Sequence, residues 1–135
     1  MMASIEYTGN LRCSCTHLQS GSVIETDAPT DNHGKGERFS PTDSVCMALA
    51  TCMNTTLAIR ASDMHIEFKG STLEVTKHML SNPRRIGKIE VVLNLITAEP
   101  ISEKDKQYMQ HIGDNCPVMK SLHPDLEKVI TYNWR

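Results

Sequence analysis

Aromatic side chains are scarce in this 135-residue chain, which holds two Phe, three Tyr and one Trp. Aliphatic residues and the eight Met must therefore fill most of its core. There is also no basic block and no basic stripe interleaved with aromatics, and the net charge is −2, so nothing electrostatic favours nucleic acid. Long hydrophobic runs are missing too. The segment 89–96 is among the longest, yet it is broken by Glu90 and Asn94 and falls far short of the roughly twenty residues that span a bilayer. The opening residues Met1–Tyr7 lack the basic and apolar regions of a secretory signal. No G-x-S-x-G, P-loop or G-x-G-x-x-G occurs, and the six His show no metal-ligand spacing, so each His reads as a surface or turn residue.

What the chain does have is cysteine, at positions 13, 15, 46, 52 and 116. An odd count cannot close a complete disulfide framework, and without a targeting segment it points to free thiols in a reducing compartment, the cytoplasm. A chain of this length fits one domain, and chains of this size often gain stability by oligomerising.

The first third reads as a small antiparallel meander. Strand candidates at 5–8, 11–19 and 22–26 are separated by turn signals at Gly9-Asn10 and Gly21. The stretch 27–39, dense in Asp, Pro, Asn and Gly, reads as a long polar loop in which Asp27 and Asp31 form turns. Ser40-Pro41-Thr42-Asp43 is a helix start, with a capping Ser, Pro at the first helical position and an acid three residues on. From Val45 to about Arg60 the helix is apolar on most sides, which predicts burial at the centre of the fold or in a dimer core. Strands are expected at 66–78, bent at Gly70, and at 86–97, with an exposed turn at 81–85 between them. A solvated helix over 102–111, a short helix from Cys116-Pro117 to Leu122 and an alternating strand at 128–134 complete an α+β chain.

Position alone makes Cys52 more often a small core residue than a nucleophile, and it lies about three turns into the helix, beyond reach of the helix dipole. Cys116 precedes Pro117, which places it at or near a helix N-cap, where backbone N–H groups favour a thiolate. Cys46 and Cys52 lie about 120° apart around the helix axis and cannot easily pair, so Cys46 reads as core. Cys13 and Cys15 share one strand face, which could suit a metal, but a zinc site needs around four ligands and no partner motif accompanies them.

Together, Thr26-Asp27-Ala28-Pro29, Gly34-Lys35-Gly36-Glu37, Phe39-Ser40-Pro41-Thr42-Asp43, Cys52 eleven residues after Pro41, and Cys116-Pro117-Val118-x-Lys120-Ser121-Leu122 resemble the OsmC/Ohr family, the osmotically inducible and organic-hydroperoxide-resistance group. The resemblance runs nearly end to end. It implies a single domain over residues 1–135, with antiparallel sheets wrapped around a long buried central helix in an intertwined homodimer. It further implies a peroxidase without a cofactor, in which Cys52 attacks a hydroperoxide, becomes a sulfenic acid and is resolved by Cys116, with an external thiol as reductant. The resemblance also implies an arginine that holds the thiolate and a carboxylate that orients it, consistent with a buried thiolate needing a nearby cation. The resemblance makes Arg12 the first candidate and Arg38 the second. The best-studied branches carry a Glu directly after the helix-start Pro, where this chain has Thr42, which leaves Asp43 and Glu37 as candidate carboxylates.

The leading expectation is thus a thiol-dependent hydroperoxide reductase that prefers organic peroxides, because its cysteine has apolar neighbours. The alternative is a non-catalytic dimeric binder of a small apolar ligand, or a thiol redox sensor, on the same fold. Cysteine-based acyl transfer would need a His with a recognisable partner, which the chain lacks.

Overall fold

A computed structural model describes all residues, Met1–Arg135, as two compact units, Met1–Val45 and Cys46–Arg135. No helix is long and apolar enough to cross a membrane.

The first unit is an antiparallel meander of β1 (Ala3–Gly9), β2 (Arg12–His17) and β3 (Val23–Asp27). Asn10 and Leu11 take positive φ at the β1–β2 turn, and the Gly9 φ of 89° is one that a side chain would resist. Strand alternation puts Ile5, Cys13, Cys15 and Ile24 on one face, with Arg12, Glu25 and Asp27 on the other. The loop after β3 folds back on itself through a 3-10 turn at Thr30–Asn32. Gly34 N–H donates to the Pro29 carbonyl at 2.9 Å and Gly36 N–H to the Ala28 carbonyl at 3.3 Å. A Cβ at Gly34 would fall 1.6 Å from that same Ala28 oxygen, so only glycine permits the closure.

Helix α1 (Pro41–Asp63) begins in the first unit and supplies the core of the second. Its start is a reciprocal box, in which Asp43 N–H donates to Ser40 Oγ at 3.0 Å and Ser40 N–H donates to Asp43 Oδ2 at 2.9 Å. One face of the helix is buried, through Cys46, Leu49, Ala50, Met53, Leu57 and Ala61, at the three-and-four spacing of an amphipathic helix. The opposite face, with Met47, Thr51, Thr55 and Ile59, is exposed. The expectation of burial nearly all round is therefore met along one stripe only. Thr51 and Thr55 hydroxyls are satisfied by carbonyls one turn back, at Met47 and Thr51.

In the second unit β4 (Thr72–Leu80) pairs antiparallel with β5 (Arg85–Leu95), and β5 pairs with β6 (Glu127–Trp134). That last pairing is parallel, a departure from uniformly antiparallel sheets. Its crossover carries α2 (Glu103–Gly113) and α3 (Pro117–Ser121), the long excursion that parallel strands require. Alternate residues Ile89, Val91, Leu93 and Leu95 of β5 are buried with the α1 stripe and Met109 of α2 in one core. Residues 66–70, expected as strand, are instead irregular chain and turn. Ile66 N–H still bonds back to the Ala61 carbonyl at the helix end, and Ser71 N–H to Phe68, so this backbone is committed to local turns before β4 begins.

Candidate active site

The site residues fall into two groups, one in each unit. In the first, the β2–β3 register sets Arg12 directly opposite Asp27. Arg12 Nε donates to Asp27 Oδ1 at 2.6 Å and Nη2 to Oδ2 at 2.8 Å, a two-pronged pairing of the kind a planar guanidinium favours. The closed Gly34–Gly36 loop returns the chain so that Glu37 N–H also donates to Asp27 Oδ2, at 3.1 Å. The Glu37 carboxylate meets Arg12 Nη2 at 3.3 Å from a more exposed position. Asp27 is 1% exposed, yet the Arg12 hydrogen bonds outweigh its burial and hold its carboxyl down at about 2. The same pairing pushes the Arg12 guanidinium up, so both groups stay charged across any working pH. Nη1 takes part in none of these bonds, and the Arg12 side chain keeps 22% of its surface exposed. A fixed guanidinium with an uncommitted edge results.

The carboxylate that orients Arg12 is thus Asp27, whose local Asp-Ala-Pro context predicts a turn. It closes β3 instead of opening a loop. Asp43 is engaged in the helix-start box with Ser40, and Glu37 is a secondary partner of Arg12. Arg38 is directed elsewhere, to Glu25 at 3.2 Å and the Glu37 carbonyl at 3.1 Å, at the surface.

The second group holds the thiols. Cys116 is the N-cap of α3, as the Cys-Pro pair predicts, and its Sγ accepts from Met119 N–H at 3.5 Å. It is 0% exposed. Burial pushes its thiol up, the Met119 N–H opposes this only in part, and the adjacent Cys52 side chain pushes it further. A one-turn-and-a-half helix at the end of a long polar bond does not acidify a thiol walled in by apolar side chains. The cap N–H groups do favour the thiolate, but burial outweighs them. Cys52, half-buried on α1, packs against the same core and is the side chain that Cys116 contacts. All five cysteines are free thiols. Cys46 is buried, and Cys13 and Cys15 share a face of the first sheet, where they line an apolar cavity of about 580 Å³ with Ile5 and Ile24. No group of three or more potential metal ligands forms.

A family model described as OsmC-like protein matches residues 34–128. Comparison with curated proteins gave no match. Among solved structures, a Psychrobacter arcticus 273-4 protein, provisionally described as an osmotic stress induced and detoxification response protein, is 41% identical over 98% of this chain and 96% of its own, with a TM-score of 0.92. An OsmC-like protein of unknown function from Vibrio cholerae shares the fold at 13% identity and a TM-score of 0.82, covering 96% of each chain. An organic hydroperoxide resistance protein from Elizabethkingia anophelis does so at 12% identity and a TM-score of 0.72, over 100% of this chain and 97% of its own. With more than half its length matched by the family model and a near-complete relative at 41% identity, the chain belongs to the OsmC-like family.

Proposed function

We propose that this protein is a cytoplasmic, thiol-dependent peroxidase that reduces hydroperoxides, organic ones preferentially, through Cys52 and Cys116. The observation that carries the reading is the contact between these two free thiols, brought together from α1 and from the N-cap of α3. Their surroundings support different roles for the two. Cys116 is fully buried and held protonated, which suits a resolving thiol that meets only an intramolecular partner. Cys52 keeps some exposure and is the thiol a diffusing peroxide reaches. The Cys52 thiolate attacks the terminal peroxide oxygen; the O–O bond breaks, a proton converts the leaving alkoxide to an alcohol, and Cys52 is left as sulfenic acid. The Cys116 sulfur then attacks the Cys52 sulfur. The S–S bond forms, the S–O bond breaks, and the thiol proton leaves with hydroxide as water. An external thiol pair returns the disulfide to two thiols. We assign the supporting cation, which a thiolate of this kind needs, to Arg12, pre-oriented by Asp27 within the first unit.

We assign the working form as a homodimer. Exposed apolar side chains support this, among them Ile59 on α1 and Ile5, Val23 and Ile24 on the first sheet, the kind of surface a subunit interface covers. Light scattering during gel filtration reads the mass directly.

The apolar cavity beside Cys13 and Cys15 supports a second reading, a binder of a small apolar ligand with its thiols as passive lining. Reduced protein mixed with one equivalent of cumene hydroperoxide separates the two. The peroxidase consumes peroxide and acquires a Cys52–Cys116 bridge, and Cys52→Ser abolishes consumption. Peroxide that persists with both thiols reduced overturns the peroxidase reading in favour of the binder.

A further inference from the structure

The corner that carries the resolving thiol, Asp114-Asn115-Cys116, joins α2 to α3. Most of its hydrogen bonds are local. Asp114 N–H donates to Gln110, Asn115 N–H to Ile112 and Cys116 N–H to Gly113, while Asn115 Nδ2 reaches the His111 carbonyl at 2.8 Å. Besides the Cys52 contact at Cys116, one polar tie arrives from a distant part of the chain. Tyr132, on β6, directs its hydroxyl to Asp114 Oδ1 at 2.9 Å, with the Gln110 carbonyl at 3.3 Å. The approach is close enough that a Cβ at Gly113 would sit 2.4 Å from the phenol oxygen, so glycine at the end of α2 is what admits it. The Tyr132 ring is itself fixed, stacked on Trp134 with centroids 6.5 Å apart and planes 12° apart. Trp134 in turn packs against Phe68 at 6.0 Å. Burial first, then Asp114 and Cys116, push the phenol up, so it stays a neutral donor throughout.

Resting on the peroxidase reading, we propose that Tyr132, acting through Asp114, is a positioning residue that holds the Cys116 corner within reach of Cys52 and so sets the rate at which the sulfenic acid is resolved. Closing a disulfide needs sulfurs at about 2.05 Å with a restricted torsion. A corner tied to a strand spends more of its time near that geometry than one held only by its own turns. The Tyr132 hydroxyl donates to Asp114 and the Gln110 carbonyl and not to either sulfur, and its removal therefore leaves the first step alone.

The test is rapid mixing of reduced protein with one equivalent of cumene hydroperoxide, timing peroxide loss and trapping sulfenic acid with dimedone. In Tyr132→Phe, which keeps the ring and its stacking, peroxide loss stays within about twofold of the parent. The sulfenic acid lives about tenfold longer, the scale expected for one hydrogen bond to a charged group. Asp114→Ala gives the same delay, whereas Asp114→Asn, which retains an accepting oxygen, restores near-parental resolution. A parental sulfenic-acid lifetime in Tyr132→Phe, or equal slowing of both steps, overturns the proposal. Diamide, a thiol oxidant that takes up the two hydrogens, closes the same bridge without peroxide. If the parent consumes no peroxide but Tyr132→Phe closes the Cys52–Cys116 bridge more slowly with diamide, the peroxidase reading falls and the positioning role stands. Equal closure rates with diamide refute the positioning role.

Discussion

The Asp27 carboxyl and the Cys116 thiol are shielded from solvent to almost the same degree, at 1% and 0% exposure, yet burial leaves them in opposite charge states. Asp27 remains ionised because a guanidinium, itself charged at every working pH, enters the site with it and a backbone N–H completes its shell. Cys116 has the Met119 N–H at 3.5 Å, the Val118 N–H and a neighbouring thiol, which together do not repay the loss of water around a thiolate. The difference teaches that the degree of burial does not decide ionisation here; the charge of the partner buried alongside does. The first unit thus carries a fixed charge pair, and the second keeps sulfur neutral until chemistry calls on it.

The harshest way to break that contrast is to force a carboxylate into the thiol's place. Cys116→Asp puts an acid where the neighbours of the parent thiol are backbone N–H groups and a second thiol, and an uncompensated buried charge typically costs about 3–5 kcal/mol. The expected result is severe loss of stability at pH 7 in urea unfolding. The sign with pH follows from the raised carboxyl. The folded state then holds its proton more tightly than the unfolded state, so the deficit grows as pH rises above the ordinary carboxylate range and shrinks on acidification toward it. Cys116→Ser, which keeps a neutral polar group, loses far less and shows no such pH dependence. A Cys116→Asp protein as stable at pH 7 as at pH 4 would mean a cation does reach this position.

The reverse manipulation, removing the charge from Asp27, has the next largest effect. Asp27→Asn keeps the shape but leaves the Arg12 fork without its counter-charge. In the parent the carboxyl is drawn down from 3.8 to about 2 by Arg12, so its contribution is complete above the unfolded value and disappears as pH falls from about 4 to about 2. The variant is therefore less stable than the parent at neutral pH, and the two thermal-unfolding curves converge at the acid end of that window. A gap that persists unchanged at pH 2 would show that packing, not charge, explains the loss.

The same two sites mark what could be read from the chain alone. The α1 start was legible at Ser40–Asp43 because a capping box is complete within four residues, and Cys116-Pro117 announced its N-cap for the same reason. Arg12 was a candidate cation, but its partner was not legible, because the Arg12–Asp27 pairing depends on the β2–β3 register across fifteen positions of sequence. Asp-Ala-Pro looks like a turn locally, and the strand ends only after Asp27. The parallel β5–β6 pairing was hidden likewise, since the alternation in 127–134 reveals a strand without naming its neighbour. Tyr132 carried no signal at all; its role arises from where β6 delivers it beside α2.

The smallest effect belongs to a hydrogen-bonded pair that looks stronger than Arg12–Asp27 by distance alone. His78 Nε2 and Glu90 Oε2, on β4 and β5, are 2.5 Å apart, and the His78 hydrogen bond draws the Glu90 carboxyl below its ordinary range. Both side chains are about two-fifths exposed, however, so water and salt screen the interaction and compete for each partner. Because the carboxyl is lowered, its contribution is present above its ordinary value of 4.5 and fades only as pH drops below that. Glu90→Gln should therefore leave the unfolding midpoint at pH 7 nearly unchanged, while the Glu90 shift remains visible in a carboxylate NMR titration of the parent. If Glu90→Gln instead destabilised as much as Asp27→Asn, proximity would outrank burial, and the account of why Asp27 keeps its charge would have to rest on distance instead.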